Sequence, residues 1–250
     1  MFEPLKVGVG EYLAGFYATL VATTHPMQEY IQRGVAKSIA WAPSRMVDAA
    51  EDMLAAWQRN DTDSATTRPA KLPVILVAMD QSYTPTGREF ARQIADSVKV
   101  IMPGDAKQRL FGLRTVFGDI RTQLVFAAAD EPTARSLAAQ FMNYIDAVPN
   151  RRIGYSTSFA GVSEDWVATI ESPDIPVTAV RTGMKNVVML AVDITLKAQI
   201  PLYDAPKAGE PNDGKGVPGT ADPAGYPVVI EVDFDDKALD IQQSVTADSP

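Results

Sequence analysis

The stretch Val188-Met189-Leu190-Ala191-Val192-Asp193-Ile194-Thr195-Leu196-Lys197-Ala198-Gln199-Ile200 decides how this chain is read. Val188, Leu190, Val192, Ile194, Leu196, Ala198 and Ile200 occupy one parity, and Asp193, Thr195, Lys197 and Gln199 the other. Successive residues of a strand point to opposite faces. The alternation therefore predicts a long strand with one face on a core and the other toward water or a partner. Just upstream, Pro176–Thr182 is a second strand candidate, and Gly183 permits a sharp turn. Together they predict a long antiparallel hairpin.

Downstream of this strand the chain changes character. Residues 205–227 are rich in Pro and Gly and show no buried pattern, which reads as a linker. From 205 to 226 there are 22 residues. As a flexible chain they span about 26 Å on average, and fully extended roughly 70 Å. In the segment 228–250, Val228, Ile230, Val232 and Phe234 then alternate with Val229, Glu231, Asp233 and Asp235. This predicts a tethered strand with one apolar face and one largely acidic face. The residues from about Lys237 onward read as frayed. The strand either returns to its own sheet or adds to a neighbour's.

Upstream lies an α/β pattern. Pro73–Met79 is a compact β-branched run that reads as a buried strand, and Ile120–Phe126 as another. Thr86 and Glu89 have capping-box spacing ahead of a helix burying Phe90, Ile94 and Val98. Asp130 caps a helix with Pro132 in its first turn and a stripe of Ala134, Leu137, Ala138, Phe141, Met142, Ile145 and Val148. Tyr155–Phe159 and Trp166–Ile170 are shorter strand candidates. Residues 1–60 read as helical. A first helix carries Leu5, Val9, Tyr12, Leu13, Phe16, Tyr17, Leu20 and Val21. A second starts at Pro26, buries Met27, Tyr30, Ile31, Val35 and Ile39, and ends at Pro43. A third, capped by Ser44, carries Val47, Ala50, Leu54 and Trp57. The expected architecture is α+β: a helical N-terminal region, an α/β core over 72–204 with a mixed, mainly antiparallel sheet and a long hairpin, and the tethered C-terminal strand.

Composition narrows function. With 250 residues, 46% of them hydrophobic, the chain can bury a sizeable core. Its net charge of -8 repels phosphate backbones, so nucleic acid is expected to pass an acidic lumen rather than bind. There is no cysteine and one histidine, His25, so disulfides, thiolate metal sites and two-imidazole sites cannot be built within one chain. No cofactor or metal is expected. The apolar run Tyr12–Ala22 follows Glu3 and Glu11 with only Lys6 as a cation, unlike a signal peptide. No apolar run reaches bilayer length, so synthesis in the cytosol without a membrane partner is expected.

The best enzyme-like feature is Asp80-Gln81-Ser82-Tyr83-Thr84, which follows a buried strand as α/β active sites do. Its pattern suggests a phosphotransferase nucleophile at Asp80. Ser82, however, stands where a second Asp would serve as general acid, and a polar strand-to-helix loop explains the same residues. Glu51-Asp52 and Asp235-Asp236 are adjacent in sequence and point apart, so neither forms a two-carboxylate site by itself.

The order helix, strand, helix, strand, the Asp130-Glu131-Pro132-Thr133-Ala134 helix, Arg151-Arg152-Ile153, the Trp166–Ile170 strand, and the Arg181-Thr182-Gly183-Met184-Lys185-Asn186 turn into Val188–Ile200 resembles the tail-terminator (tail-completion, neck) proteins of tailed bacteriophages. The resemblance covers about residues 72–204. It implies a virion protein with no catalytic residues. It also implies a homo-oligomeric ring, a hexamer, that sits on the tail tube and touches the head–tail connector and the sheath. Other connector or tube-like virion components share this texture. The expected interaction residues are Arg181, Lys185, Asp193 and Lys197 on the hairpin, and Val228, Ile230, Val232 and Phe234 on the tethered strand.

Overall fold

A computed structural model of the chain describes residues 3–41, 54, 72–80, 82–85, 96–105, 107–172, 174–183, 186–207, 231–236 and 241–246. Contacts divide it into two compact units. One comprises Met1–Asp96 with Arg114–Leu202, the other Ser97–Leu113 with Tyr203–Pro250.

The first unit is the α+β core that the sequence implies. Helix α1 (Glu3–Ala18) buries Leu5, Val9, Leu13, Phe16 and Tyr17. Helix α2 (His25–Gln32) is capped by Thr24, whose side chain accepts from the Met27 amide, and has Pro26 in its first turn. The sequence reading carries this helix to Pro43; it stops at Gln32. Gly34 adopts a left-handed φ of 86°, a short 3₁₀ turn spans Val35–Lys37, and Ile39–Trp41 becomes strand β1. Ser38 explains the break. Its hydroxyl donates to the Gly34 carbonyl at 2.8 Å and accepts from Arg33 Nε at 3.1 Å. Its carbonyl accepts from Tyr30 Oη at 3.1 Å and from the Ile75 amide at 3.0 Å. A fully buried serine with this many partners outweighs local helix propensity. Trp41 ends this strand, with Lys6 Nζ 5.5 Å from its ring centroid.

Strand β2 (Val74–Met79) pairs in parallel with β1 and antiparallel with β5 (Leu110–Ala128). β5 is 19 residues long, whereas the sequence shows a strand only from Ile120. Gly112, Arg114, Gly118 and Asp119 interrupt the apolar pattern of its first half. The strand holds there because it pairs piecewise, Leu110–Leu113 with β4 (Val98–Ile101) and Gly118–Asp119 with the two-residue β3 (Thr84–Pro85). Gly118 leaves room for Tyr83: a Cβ there would stand 2.7 Å from the tyrosine ring. Helix α3 (Glu131–Asp146) matches its sequence signals, with Asp130 Oδ1 accepting from the Thr133 amide at 2.8 Å. Val148 falls outside it, exposed in a 3₁₀ turn.

Strands β6 (Arg152–Phe159), β7 (Val162–Ile170), β8 (Val177–Val180) and β9 (Val188–Asp204) complete the core, in the order β1-β2-β5-β9-β7-β6 with β8 also on β9. The hairpin of β8 and β9 is antiparallel, as the alternation implies, but only four residue pairs long. Residues 181–187 connect the two strands, and among those described Asn186 is left-handed (φ 62°). Along β9 the even-numbered apolar residues from Val188 to Ile200 are buried or half-buried, and Leu202 beyond them is exposed. Met189 and Ala191 are buried as well, on the opposite face.

The sheet therefore has two apolar faces. The helices cover one, where Phe16, Phe126 and Phe141 meet in edge-on and tilted ring contacts at 5.0–5.6 Å. On the other, Leu54 lies fully buried with Val74, Leu76, Val125, Ala127, Met189 and Ala191. The remainder of the third expected helix, the Thr86–Ala95 segment, and the linker from Ala208 lie outside the described residues.

The second unit contains β4 with the start of β5, and a two-stranded sheet of β10 (Glu231–Asp236) and β11 (Ile241–Thr246). The segment expected to fray is thus the second strand of an antiparallel hairpin. In the loop before β5, Asp105 accepts from the Arg109 amide at 2.8 Å and from its guanidinium at 2.9 and 3.0 Å. These bonds hold its carboxyl down at about 2, against the cost of burial.

Candidate functional site

The most informative site is a cleft of about 420 Å³ where α1 crosses the β6–β7 hairpin. Local sequence builds it. Ala160 (φ 52°) and Gly161 (φ 85°) form a two-residue turn between the paired Phe159 and Val162. Two consecutive positive φ values give the turn the twist that a hairpin needs. β7 then pairs with β9 only through Thr169 and Ile170. The rest of the hairpin leaves β9, and the Tyr155 hydroxyl bridges the gap by donating to the Gln199 carbonyl. Burial pushes the Tyr155 hydroxyl up to about 12, and that hydrogen bond opposes the shift.

Helix α1 sits close because Gly8 faces Gly154. A Cβ on Gly8 would lie 2.3 Å from the Gly154 carbonyl oxygen. On its other side Gly154 opens onto free space, with no heavy atom within 4 Å of a built Cβ. Glu11, Tyr12, Arg152, Ser156, Asp165 and Trp166 line the cleft. Ser156 donates to Asp165 Oδ1 at 2.6 Å. Tyr12 Oη and Trp166 Nε1 are both buried and, among the described residues, neither has a hydrogen-bond partner. Burial, then the neighbouring Tyr144, raises the Tyr12 hydroxyl further above its ordinary range, so it stays a proton donor. Two orphan donors in one cleft cost about 1–3 kcal/mol each, which an incoming acceptor would recover.

The sequence-expected interaction residues are scattered. Asp193 accepts from Arg121 Nη2 at 2.8 Å and Gln123 Nε2 at 2.7 Å, next to Val125 and Ala191 of the second apolar face, where that face turns polar. Lys197 Nζ pairs with Glu171 at 2.8 Å. Arg181 is exposed in the β8–β9 loop. Val232 and Phe234 lie on β10, opposite Val245 and Gln243. Lys185, Val228 and Ile230 lie outside the described residues. Tyr12 and Trp166 escaped sequence reading because an apolar stripe hides a polar atom at the tip of an aromatic ring. Their hydroxyl and indole N–H were the available signal.

The enzyme-like loop is occupied by its own turn. Asp80 Oδ1 accepts from the Ser82 amide at 3.0 Å and from its hydroxyl at 2.6 Å. His25 is exposed at the start of α2, 3.7 Å from Glu29. Among the described residues no group of three potential metal ligands comes together, and no helix is long and apolar enough to cross a membrane. No protein-family model matches this chain, and no curated protein matches its sequence.

Proposed function

We propose that this chain is a structural virion component of a tailed phage, a tail-terminator or neck protein. In this reading it forms a ring, caps the tail tube and joins it to the head connector. The observation that carries the reading is a sheet with an open outer strand in a chain that holds a separate two-stranded sheet of its own. Open strand edges are templates for association, and a heterologous contact that closes by rotation gives a ring. The net charge of -8 supports a lumen through which DNA moves without sticking.

Mass photometry of the purified chain over nanomolar to micromolar concentration, with and without assembled tail tubes, tests the proposal. A discrete oligomer that binds tube ends is expected. A chain that stays monomeric throughout and ignores tubes refutes it. Low-resolution imaging of the ring on a particle separates the terminator position from other connector positions.

A further inference from the structure

Three features converge on one edge. β6 is the outer strand of its sheet, and among the described residues its ladder partner is β7 alone. It offers eight residues, whereas β1 at the opposite edge offers three. Beside it lies the cleft with the unpartnered Tyr12 and Trp166 donors. Elsewhere in the chain, β10 and β11 pair with each other and, among the described residues, with no other strand. A two-stranded hairpin is marginal in water and gains stability from a third strand.

We propose that β6 is the acceptor edge for the β10–β11 hairpin of a second copy of this chain, with β10 laid along residues 152–158. This rests on the oligomeric reading above. Several matches favour this occupant. The six residues of β10 fit within the eight of β6. β6 carries one charge, Arg152, preceded by Arg151, whereas β10 carries Glu231, Asp233, Asp235 and Asp236. Arg152 is exposed at the cleft, so an acidic strand meets a basic start of the edge. Residues 205–230 join β9 to β10 and extend to at most about 90 Å, enough to reach an adjoining copy.

The chain has no cysteine, so single cysteines report contacts cleanly. One full-length protein carries Gly154→Cys, a position with open space around its Cβ. A second carries a cysteine at Glu231, Val232, Asp233, Phe234, Asp235 or Asp236 in turn. The two are mixed, oxidised mildly and run on a non-reducing gel, with mass photometry on the same samples. Mixed disulfide dimers are expected at alternate β10 positions, several-fold above those between them, because strand side chains alternate. An oligomer that forms without any such dimer overturns the acceptor edge and leaves the ring reading standing. A full-length double variant that closes only within one chain also overturns it, since the hairpin then serves its own sheet. Absence of an oligomer at every concentration overturns both proposals.

Discussion

Replacing Gly8 by alanine tests the tightest glycine position among the described residues. A methyl group there would sit 2.3 Å from the Gly154 carbonyl oxygen and 2.9 Å from Tyr155 Cβ. Heavy atoms in comfortable contact stand about 3.5 Å apart, so α1 must lift from β6 by about 1 Å. Both neighbours are backbone or Cβ atoms and cannot swing away. Overpacking of this kind costs about 1–3 kcal/mol, and the displaced helix loosens the contacts of Leu5, Val9 and Leu13 as well. Alanine is worth about 1 kcal/mol over glycine within a helix, which offsets part of the loss. Gly10, two residues along the same helix, supplies the control. Its Cβ would meet only the Trp41 ring, at 4.0 Å, so Gly10→Ala is expected to stabilise by about 1 kcal/mol. The two variants should therefore differ by about 1–3 kcal/mol. Urea denaturation followed by tryptophan fluorescence reads this as a separation of midpoints at constant slope. Gly8→Ala at least as stable as Gly10→Ala would refute the close approach of α1 to β6.

The other expectations concern polar groups. Removing the Tyr12 hydroxyl with Tyr12→Phe is expected to leave the monomer as stable as before or slightly more so, since the group has no partner to lose, while weakening self-association in mass photometry. Ser38→Ala is expected to cost about 1–3 kcal/mol in thermal or urea melts, because it strips a buried partner from Arg33 and the Gly34 carbonyl. The Asp105 carboxyl is held below its ordinary value by Arg109, so its stabilising contribution is present above about pH 4 and is lost as pH falls through about 2. Asp105→Asn should flatten that acid limb in a pH series of stability and leave the change between pH 5 and 8 untouched.

Where one local signal sufficed, the fold was legible. Asp130, Pro132 and the stripe through Ile145 locate α3 nearly to the residue, and the alternation of Val188–Ile200 locates β9. What escaped depends on partners distant in sequence. The end of α2 is set by Ser38 bonding to Ile75, and a helical stripe through Ile39 contains no hint of it. The first half of β5 contains two glycines and two charges, and is a strand because two short strands, β4 and β3, pair with it in succession. Strand β11 reads Ile-Gln-Gln-Ser-Val-Thr, too polar to stand out, and gains its order from register with β10. The cleft was hidden for a different reason. It is defined by what Tyr12 and Trp166 lack, and a residue pattern shows which atoms are present, not which remain unsatisfied.

The contact of Gly8 with Gly154 also bears on how the chain is made. Helix α1 is made before its partners β6 and α3, which follow more than a hundred residues later. At roughly 5–20 residues per second, the interval between synthesis of Gly8 and of Gly154 is about 7–30 s. Through that interval Leu5, Val9, Leu13 and Phe16 lack the β6 and α3 part of the core cluster that buries them in the finished fold. The nascent chain therefore presents an early, prolonged apolar helix, a natural client for a ribosome-associated chaperone. Slowing translation should lengthen that exposure without altering the finished fold.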